Sequence, residues 1–392
     1  MKRVVITGMG PVSAIGVGRE AFFDGLKEGR SGIRNITSFA AGSGRQAAEI
    51  AGFNVAEYLE SQKNYLDHAS ELAFAAMSLA LEDADLDPKT MDGSAAGLLL
   101  GSAFGSLATM GLFFGDFVQK GPRLVKPVLF PHTYANTAIS LLAIEYNLSG
   151  YHAHFASGAV SSAFSLVEGF DLIRQGRAET VFAGGYEGFN ELLFSGMDRA
   201  GRLSPGGGGA ERCAPFDEKR NGFVLGEGAG IVVLEEYEKA MARGALIYGE
   251  MAGAGMTGGL RIGDAMRLAL EGARFDAGQV DVVLAAANGS RDPDEKEAAA
   301  IARETPDASV SSIKPMLGET LGAAGVLQVM AASGLMANRA IPPILNLESL
   351  PAGCALNVVR GGVVEKDIKR ALVNVVDPGG SVMCLALQRT DA

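Results

Sequence analysis

The chain has 392 residues, of which 48% are hydrophobic, enough to form the core of one large α/β unit or of several average domains. Its 34 basic and 45 acidic residues give a formal net charge of −11, which argues against nucleic acid or an anionic membrane surface as the main partner. The three cysteines, Cys213, Cys354 and Cys384, are widely spaced, so we expect neither a metal site nor a disulfide framework.

The start of the chain has no feature of secretion or of membrane insertion. Met1, Lys2 and Arg3 lead directly into a β-branched run at residues 4–7, which predicts a strand rather than a signal peptide. No apolar run reaches the roughly 18 residues that a membrane-spanning helix needs. We therefore predict a cytoplasmic protein that acts without a membrane.

Two glycines follow the first predicted strand. Gly8 and Gly10 come directly after Thr7, and a glycine turn at this place is typical of dinucleotide-binding folds. The third glycine of that fingerprint is missing, because position 13 is serine. We therefore interpret the two glycines as a tight exit from the strand, and we expect no nucleotide or other cofactor.

Further elements of the first half are predicted from periodicity and composition. Residues 64–84 place leucine and alanine at helical spacing and predict an amphipathic helix, while residues 98–101 and 178–185 predict buried strands. Residues 111–134 are rich in phenylalanine, proline and glycine, and they predict an irregular loop that is either an interface or an ordinary surface excursion. The glycine-rich stretch 204–209 is predicted to be the most flexible in the chain.

The second half repeats the alternation of strands and helices after a junction at residues 235–250. Strands are predicted at residues 280–286, 371–376 and 382–387, and helices at residues 295–303 and 318–338. This alternation predicts βαβ units around largely parallel sheets. We expect two domains, 1–240 and 241–392, although no literal sequence repeat links them.

The stretch 155–163 is where we expect the chemistry of the chain. It is a turn of small residues that leads into an apolar helix at residues 164–176. Such a turn presents a nucleophile at a helix N-terminus, where backbone N–H groups and the helix dipole favour an anion.

Three segments resemble the β-ketoacyl synthases of fatty acid and polyketide assembly. They are the opening residues 3–10, the run 172–185 and the signature at 215–229, which reads Pro-Phe-Asp-Glu-Lys-Arg-Asn-Gly-Phe-Val-Leu-Gly-Glu-Gly-Ala. The resemblance covers the whole chain and implies an α/β thiolase-like fold, in which two similar βαβ halves form α-β-α-β-α layers. It also implies that Ala159 occupies the position of the active-site cysteine, so no nucleophile of the expected kind is present.

The two active-site histidines that the resemblance implies are also replaced. The motif of the first histidine aligns with residues 283–293 and puts Asn288 at its position. The Lys-x-x-x-Gly-His motif of the second aligns with residues 314–325 and puts Glu319 there. Its lysine is kept as Lys314, which we expect to pair with Glu319 or with a loop carbonyl in a structural or a catalytic role. No histidine follows His154, so none is available for either position.

The motif that gates the acyl pocket in the family is altered as well. Where the resemblance implies Gly-Phe-Gly, this chain has Asp377, Pro378 and Gly379. Proline has a fixed φ and cannot perform the swing of a phenylalanine side chain. The resemblance thus implies a scaffold that is kept for its shape, with no catalytic residue intact.

Three functions remain open from the sequence. The first is a non-catalytic partner of an active ketosynthase in a heterodimer, similar to the chain length factors of type II polyketide systems, which carry glutamine where this chain has Ala159. In the family the region 111–134 reaches toward the partner subunit. The resemblance therefore makes Phe113, Phe114 and Phe117 candidates for the residues that set product length.

The other two functions use the same cleft or the same surface. The second is a repurposed acyl-transfer enzyme, whose nucleophile and base would come from Ser157, Ser161 or Ser162 and from Glu319 or His154. The third is a homodimer that binds an acyl carrier protein or acyl-CoA. In either kind of dimer we expect the interface near residues 155–190.

Overall fold

The computed structural model describes residues 1–205 and 211–390, which fold into alternating helices and strands. Their α-helices are α1 (Arg19–Lys27), α2 (His68–Asp83), α3 (Leu107–Lys120), α4 (Thr137–Glu145), α5 (Ser161–Arg174), α6 (Glu191–Arg199), α7 (Tyr237–Ala242), α8 (Ile262–Ala273), α9 (Arg291–Glu304), α10 (Lys314–Leu317) and α11 (Ala324–Asn338). Their strands are β1 (Val4–Ser13), β2 (Gly16–Val17), β3 (Arg34–Asn35), β4 (Gln46–Ala47), β5 (Ala96–Gly101), β6 (His152–Phe155), β7 (Thr180–Glu187), β8 (Gly228–Glu236), β9 (Gly249–Thr257), β10 (Val282–Leu284), β11 (Ser309–Ser311), β12 (Ala340–Ile341), β13 (Val364–Glu365), β14 (Arg370–Val376) and β15 (Val382–Gln388). Residues 206–209, within the stretch predicted to be flexible, lie outside the described residues.

The largest sheet contains 11 strands and consists of two equivalent halves. Its strand order is β11-β10-β14-β15-β9-β1-β8-β7-β5-β6, with β2 beside β1. We number the five main strands of each half in chain order. From the outer edge to the centre of the sheet, both halves then have the order third, second, fourth, fifth and first. The first strands of the two halves, β1 and β9, pair with each other at the centre. This repeated order gives the two similar halves of a thiolase-like fold, while the domain boundary at residue 240 stays a prediction.

The sheet is mixed, so the prediction of largely parallel sheets was wrong. β5 pairs in parallel with β6 and β7, and β10 pairs in parallel with β11 and β14. β8 and β15, in contrast, run antiparallel to both of their neighbours. In the second half the reason is visible in the chain: β14 and β15 are joined by a tight turn at residues 377–381, and so short a connection reverses the strand direction.

The helices form three layers around the two half-sheets. α2 packs on the outer face of the first half, α8 and α9 pack on the outer face of the second, and α5 and α11 lie between the halves. Because successive strand residues point to opposite faces, Leu98 and Leu100 of β5 contact the α2 layer, while Leu99 joins the central cluster. The result is the α-β-α-β-α arrangement.

α11 is an apolar helix of the central layer. The segment Leu321–Asn338 is long and apolar enough to cross a membrane, yet 89% of it is buried inside the fold. A helix that is surrounded by protein needs apolar side chains on every face, which explains why α11 lacks a polar stripe. It begins later than the predicted residue 318, because Gly318 has a φ of +68° and a 3₁₀ turn at Leu321–Ala323 precedes the helix.

The glycines after the first predicted strand lie inside β1, so the interpretation as a strand exit was wrong. A Cβ on Gly10 would lie 2.0 Å from the carbonyl oxygen of Ala76, and a Cβ on Gly8 would lie 2.6 Å from Cβ of Ala84. Both distances are shorter than the van der Waals contact of a Cβ atom with oxygen or carbon. Only glycine at these positions lets α2 pack its backbone directly against β1.

The region 111–134 contains a helix, so the prediction of an irregular loop was wrong. α3 extends through Lys120, and a 3₁₀ helix follows at Pro127–Thr133. Gly111 and Gly115 each lower the helix propensity of this segment by about 1 kcal/mol relative to alanine, and for this reason the composition did not indicate a helix. α3 packs against α6 and the 3₁₀ helix, and tertiary packing of this kind outweighs propensity.

Replacing Gly10 with alanine tests the close packing of α2 on β1. The new methyl group would collide with backbone atoms of α2, so we expect the free energy of unfolding to fall by about 3 kcal/mol or more. The matched control is Gly196→Ala in α6, where a Cβ would meet no atom within 4 Å, and it should stabilise the protein by up to about 1 kcal/mol. Urea unfolding measures both changes, and a Gly10→Ala variant as stable as the wild type would contradict this packing.

Candidate functional site

The turn that precedes α5 contains the position of the expected nucleophile. This 3₁₀ turn spans Gly158–Val160, and Gly158 adopts a left-handed φ of +64° that favours glycine. Ala159 is only 4% exposed, and its methyl group can form no covalent intermediate. The polar group that this position still offers to an anion is the backbone N–H.

A carboxylate of the same chain accepts a hydrogen bond from this N–H. Ala159 donates to Oδ2 of Asp377 at 2.8 Å, and Oδ1 of Asp377 accepts the N–H of Gly379 at 2.7 Å. Asp377 begins the turn between β14 and β15, and the next residue, Pro378, has no N–H to donate. Backbone N–H groups at such turns stabilise the oxyanion of acyl transfer, and here this donor already has a partner.

Asn288, Glu319 and Lys314 form one buried network. Nδ2 of Asn288 donates to Oε2 of Glu319 at 2.7 Å, and Nζ of Lys314 donates to Oε1 at 2.7 Å. The N–H of Leu321 donates to the same Oε1 at 2.9 Å. None of the three side-chain residues is more than 9% exposed, so the charge of Glu319 is compensated inside the protein.

A second buried carboxylate fixes the backbone around Asn288. Oδ1 of Asp294 accepts the N–H of Asn288 at 3.2 Å, and Oδ2 accepts the N–H of Gly289 at 3.0 Å. Burial raises the pKa of Asp294 to about 7, against the effect of these backbone donors. Asn288 is therefore held in place through both its backbone and its side-chain amide.

One small cavity lies on the Asn288 side of this network. A cavity of about 10 Å³ is lined by Asn288, Asp294 and Pro378. A cavity of roughly 10–15 Å³ holds one water molecule, so this one has no room for a substrate. The 3₁₀ turn Gly158–Val160 packs against β14 and against the turn Leu321–Ala323, so the turn at Ala159 contacts the second half of the chain.

A buried glutamate that the sequence analysis missed connects the turns around the site. Glu187, at the end of β7, accepts the N–H groups of Ala103 at 2.7 Å, Phe104 at 3.1 Å and Gly322 at 3.1 Å. Burial raises the pKa of Glu187 to about 7, although these donors favour the ionised form. The only signal in the sequence is one acidic residue at the end of an otherwise apolar strand.

The serines of the turn have structural partners. The hydroxyl of Ser161 donates to the carbonyl oxygen of Gly158 at 2.7 Å and accepts the N–H of Ser157 at 2.8 Å. The hydroxyl of Ser162 accepts the N–H of Val326 at 3.1 Å. Ser161 and Ser162 are fully buried, so only Ser157 is within reach of solvent.

The bases named with these serines lie elsewhere. His154 contacts the hydroxyl of Tyr186 at 3.4 Å, and burial lowers the pKa of His154 to about 4. Glu319 accepts the three hydrogen bonds described above. Within residues 1–205 and 211–390, no hydrogen bond joins any of the three serines to His154 or Glu319. The geometry gives no support to a serine nucleophile with either base.

The three phenylalanines predicted for the interface lie on α3, outside the buried network. Phe114 and Phe117 are 53% and 44% exposed, and Phe113 packs against Phe114 and Phe130 with ring centroids 5.5 and 5.6 Å apart. Of the 19 exposed large hydrophobic residues in the described part of the chain, nine lie between residues 104 and 134. We call these nine the apolar surface; they are Phe104, Leu112, Phe114, Phe117, Val118, Leu124, Val128, Phe130 and Tyr134.

Known proteins match both halves of the chain. The family models described as "Beta-ketoacyl synthase, N-terminal domain" and "Beta-ketoacyl synthase, C-terminal domain" match residues 1–240 and 248–348. The chain is 32% identical to 3-oxoacyl-[acyl-carrier-protein] synthase 2 of Vibrio harveyi. The alignment has 401 positions, gaps included, and covers 97% of each protein.

Two solved structures match the fold over nearly the whole chain. The ishigamide ketosynthase/chain length factor has a TM-score of 0.94 and 30% identity, with 100% of both chains covered. A ketosynthase from a complex with its type II PKS acyl-carrier protein has a TM-score of 0.89 and 25% identity, with 99% of this chain and 100% of that chain covered.

Glu187 gives the site a measurable pH dependence. Its pKa in the folded protein, about 7, lies above the ordinary value of 4.5, so the folded state holds the proton more tightly than the unfolded state. This contribution to stability is complete below pH 4.5 and is lost as the pH rises through about 7. Replacing Glu187 with glutamine should reduce the fall in unfolding free energy between pH 4.5 and 7.5 by roughly 1–3 kcal/mol.

Denaturant unfolding at a series of pH values measures this slope. The exposed Glu238→Gln is the control and should keep the wild-type slope. A Glu187→Gln variant that also keeps the wild-type slope would contradict the assignment, whatever its absolute stability.

Proposed function

Because the chain belongs to the β-ketoacyl synthase family, we propose that it is a non-catalytic member, which pairs with an active ketosynthase and helps to set product length in fatty acid or polyketide synthesis. The observation that carries this proposal is the closed site. The side chains at the three reactive positions are Ala159, Asn288 and Glu319, and the latter two bond to each other. A site whose polar groups already satisfy one another has none to offer to a reacting acyl group.

Each replacement removes a part of the condensation chemistry. Ala159 cannot carry a thioester. Asn288 can donate a hydrogen bond but cannot exchange a proton near neutral pH. The carboxylate of Glu319 would oppose the build-up of negative charge on an enolate, although Lys314 compensates it. The chain alone therefore has no route to the transition state of the reaction.

The edge of the main sheet supports pairing with a second subunit. β6 forms the last strand of the sheet and, among the described strands, pairs only with β5. Its other edge presents backbone groups to which a second chain can add. The half-buried rings of Phe155 and Phe164 stack beside this edge, with centroids 5.9 Å apart. This edge lies next to the turn at Ala159, so an interface here would bring a partner close to the candidate site.

The apolar surface supports the same interface. Its residues lie mainly on α3 and on the 3₁₀ helix Pro127–Thr133. The most exposed of them is Val118, at 80%. Monomeric proteins rarely expose so many large apolar residues in one region, and such surfaces mark interaction sites. One solved relative is named a ketosynthase/chain length factor, and we take this name as support for a partner subunit at this surface.

An acyl carrier protein is the second partner that we propose. Arg123 and Lys126 are exposed within the apolar surface, and among the described residues neither forms an ion pair. In a chain with a net charge of −11, two free cations beside Leu124 and Val128 form a local docking site for a carrier with an acidic face. We place this assembly in the cytoplasm.

Substitutions on α3 test the proposed role. With an active ketosynthase partner, Phe114→Ala and Phe117→Ala should lengthen the product, and the same positions changed to tryptophan should shorten it. The reason is steric, because a residue-sized change in a close-packed wall alters the space that an acyl chain fills. Product mass measures the length, and native mass spectrometry shows whether the subunits form a heterodimer or a homodimer.

The control is Leu246→Ala, which removes an exposed apolar side chain, 59% exposed, outside the apolar surface. It should leave product length unchanged. If product length stays fixed in all α3 variants while heterodimers still form, α3 does not set the length. If only homodimers form with every candidate ketosynthase, the partner role is wrong, and a homodimer that binds acyl carriers becomes the better description.

A further inference from the structure

One side chain connects the two halves of the molecule at the position of the missing nucleophile. Asp377 lies in the turn between β14 and β15, and its Oδ2 accepts the N–H of Ala159, which is 218 residues away in the chain. Its Oδ1 accepts the N–H of Gly379, two residues further on. The second bond is the ordinary way in which aspartate stabilises a tight turn. Oδ1 alone makes the bond that stabilises the turn, so the bond from Oδ2 to Ala159 is not needed for it.

The backbone around this contact is shaped to admit the carboxylate. A Cβ on Gly158 would lie 2.1 Å from Oδ2 of Asp377, so any other residue at position 158 would collide with it. Gly158 also has a φ of +64°, a conformation that favours glycine. Pro378 and Gly379 are exposed, whereas Asp377 is half-buried with its carboxylate directed inward at Ala159.

We infer that Asp377 acts as an internal block, a carboxylate that takes the place of the acyl oxyanion at the N–H of Ala159. This inference rests on the proposed function, since it explains how a non-catalytic chain keeps its own cleft closed to acyl groups. Two physical effects make the block effective. The donor that would stabilise an oxyanion is already bound, and the negative charge of Asp377 repels any second anion at the turn.

The block has a consequence for a thiol placed at position 159. A thiolate there would have the carboxylate of Asp377 as a close neighbour, and a like charge raises the pKa of a thiol and lowers its reactivity. The other carboxylates near the turn are Glu187 and Glu319, which bond to the turn Leu321–Ala323 that packs against it. Both stay the same when only Asp377 is changed, so a difference between variants reports on Asp377.

The experiment compares Ala159→Cys with the double variants Ala159→Cys/Asp377→Asn and Ala159→Cys/Asp377→Gly in the full chain. Iodoacetamide is the probe; the thiolate displaces iodide and forms a C–S bond. Because position 159 is only 4% exposed, access limits the absolute rate in every variant, and the pH dependence of the rate gives the pKa of the thiol. The rate of alkylation is read by mass spectrometry on the peptide that contains residue 159, over a range of pH values. This peptide contains none of the native cysteines Cys213, Cys354 and Cys384, so they do not contribute.

We expect the thiol of the single variant to have an apparent pKa above about 8.5, the value of a free cysteine. Removal of the carboxylate should lower that pKa by about one unit and raise the rate at pH 7 about tenfold. Asparagine keeps the shape of the side chain, loses its charge and keeps one of its two accepting oxygens. Glycine, the residue that the family motif has at this position, removes the whole side chain and is the second variant if asparagine does not fold. Thermal unfolding confirms the fold of each variant.

Equal pKa values and equal rates in the single variant and in the folded double variants would overturn the inference. The exposed Asp307→Asn, combined with Ala159→Cys, is the control and should leave both quantities at their single-variant values. Failure here is distinguishable from failure of the proposed function. The alkylation needs no partner, whereas product length is measured only in the assembled pair.

Discussion

The buried charge of Glu319 is the constraint on which the rest of the site depends. A carboxylate in the interior must be compensated, and Lys314, Asn288 and the N–H of Leu321 together supply the donors. Removing one partner of such a pair leaves an uncompensated charge, which typically destabilises a protein by about 3–5 kcal/mol. Position 319 is therefore tied to the stability of the fold.

The fold brings the other carboxylates that fix the site to the same place. The site lies at the carboxyl ends of parallel strands from both halves, where loops from β5, β7 and β10 converge. Glu187 fixes the turns of the first half, and Asp294 fixes the backbone at Asn288 in the second. Asp377 then joins the halves at Ala159. The family fold is present, and Ala159, Asn288 and Glu319, which the resemblance aligned with reactive residues, are engaged by contacts within the chain.

The sequence predicted the scaffold better than the contacts. Local periodicity indicated most of the long strands and the central helices, because these depend on neighbours in the chain, while the replaced active-site positions stay a prediction. α3 was missed because its glycines hide a helix that packing against α6 stabilises. The bond from Asp377 to Ala159 could not be read from the sequence, because no local pattern encodes a contact over 218 residues. The same is true of the glutamate at position 187, whose partners come from two other loops.

The most direct test of this account is a condensation assay of the purified chain with acyl and malonyl carrier proteins. Mass spectrometry follows both the β-ketoacyl product and any acyl group attached to the chain itself. If the site is closed, the chain alone forms no product and carries no acyl group, and product appears only when an active ketosynthase is added. Product formed in proportion to the amount of this chain, in preparations shown to lack other synthases, would contradict the claim that its site is closed.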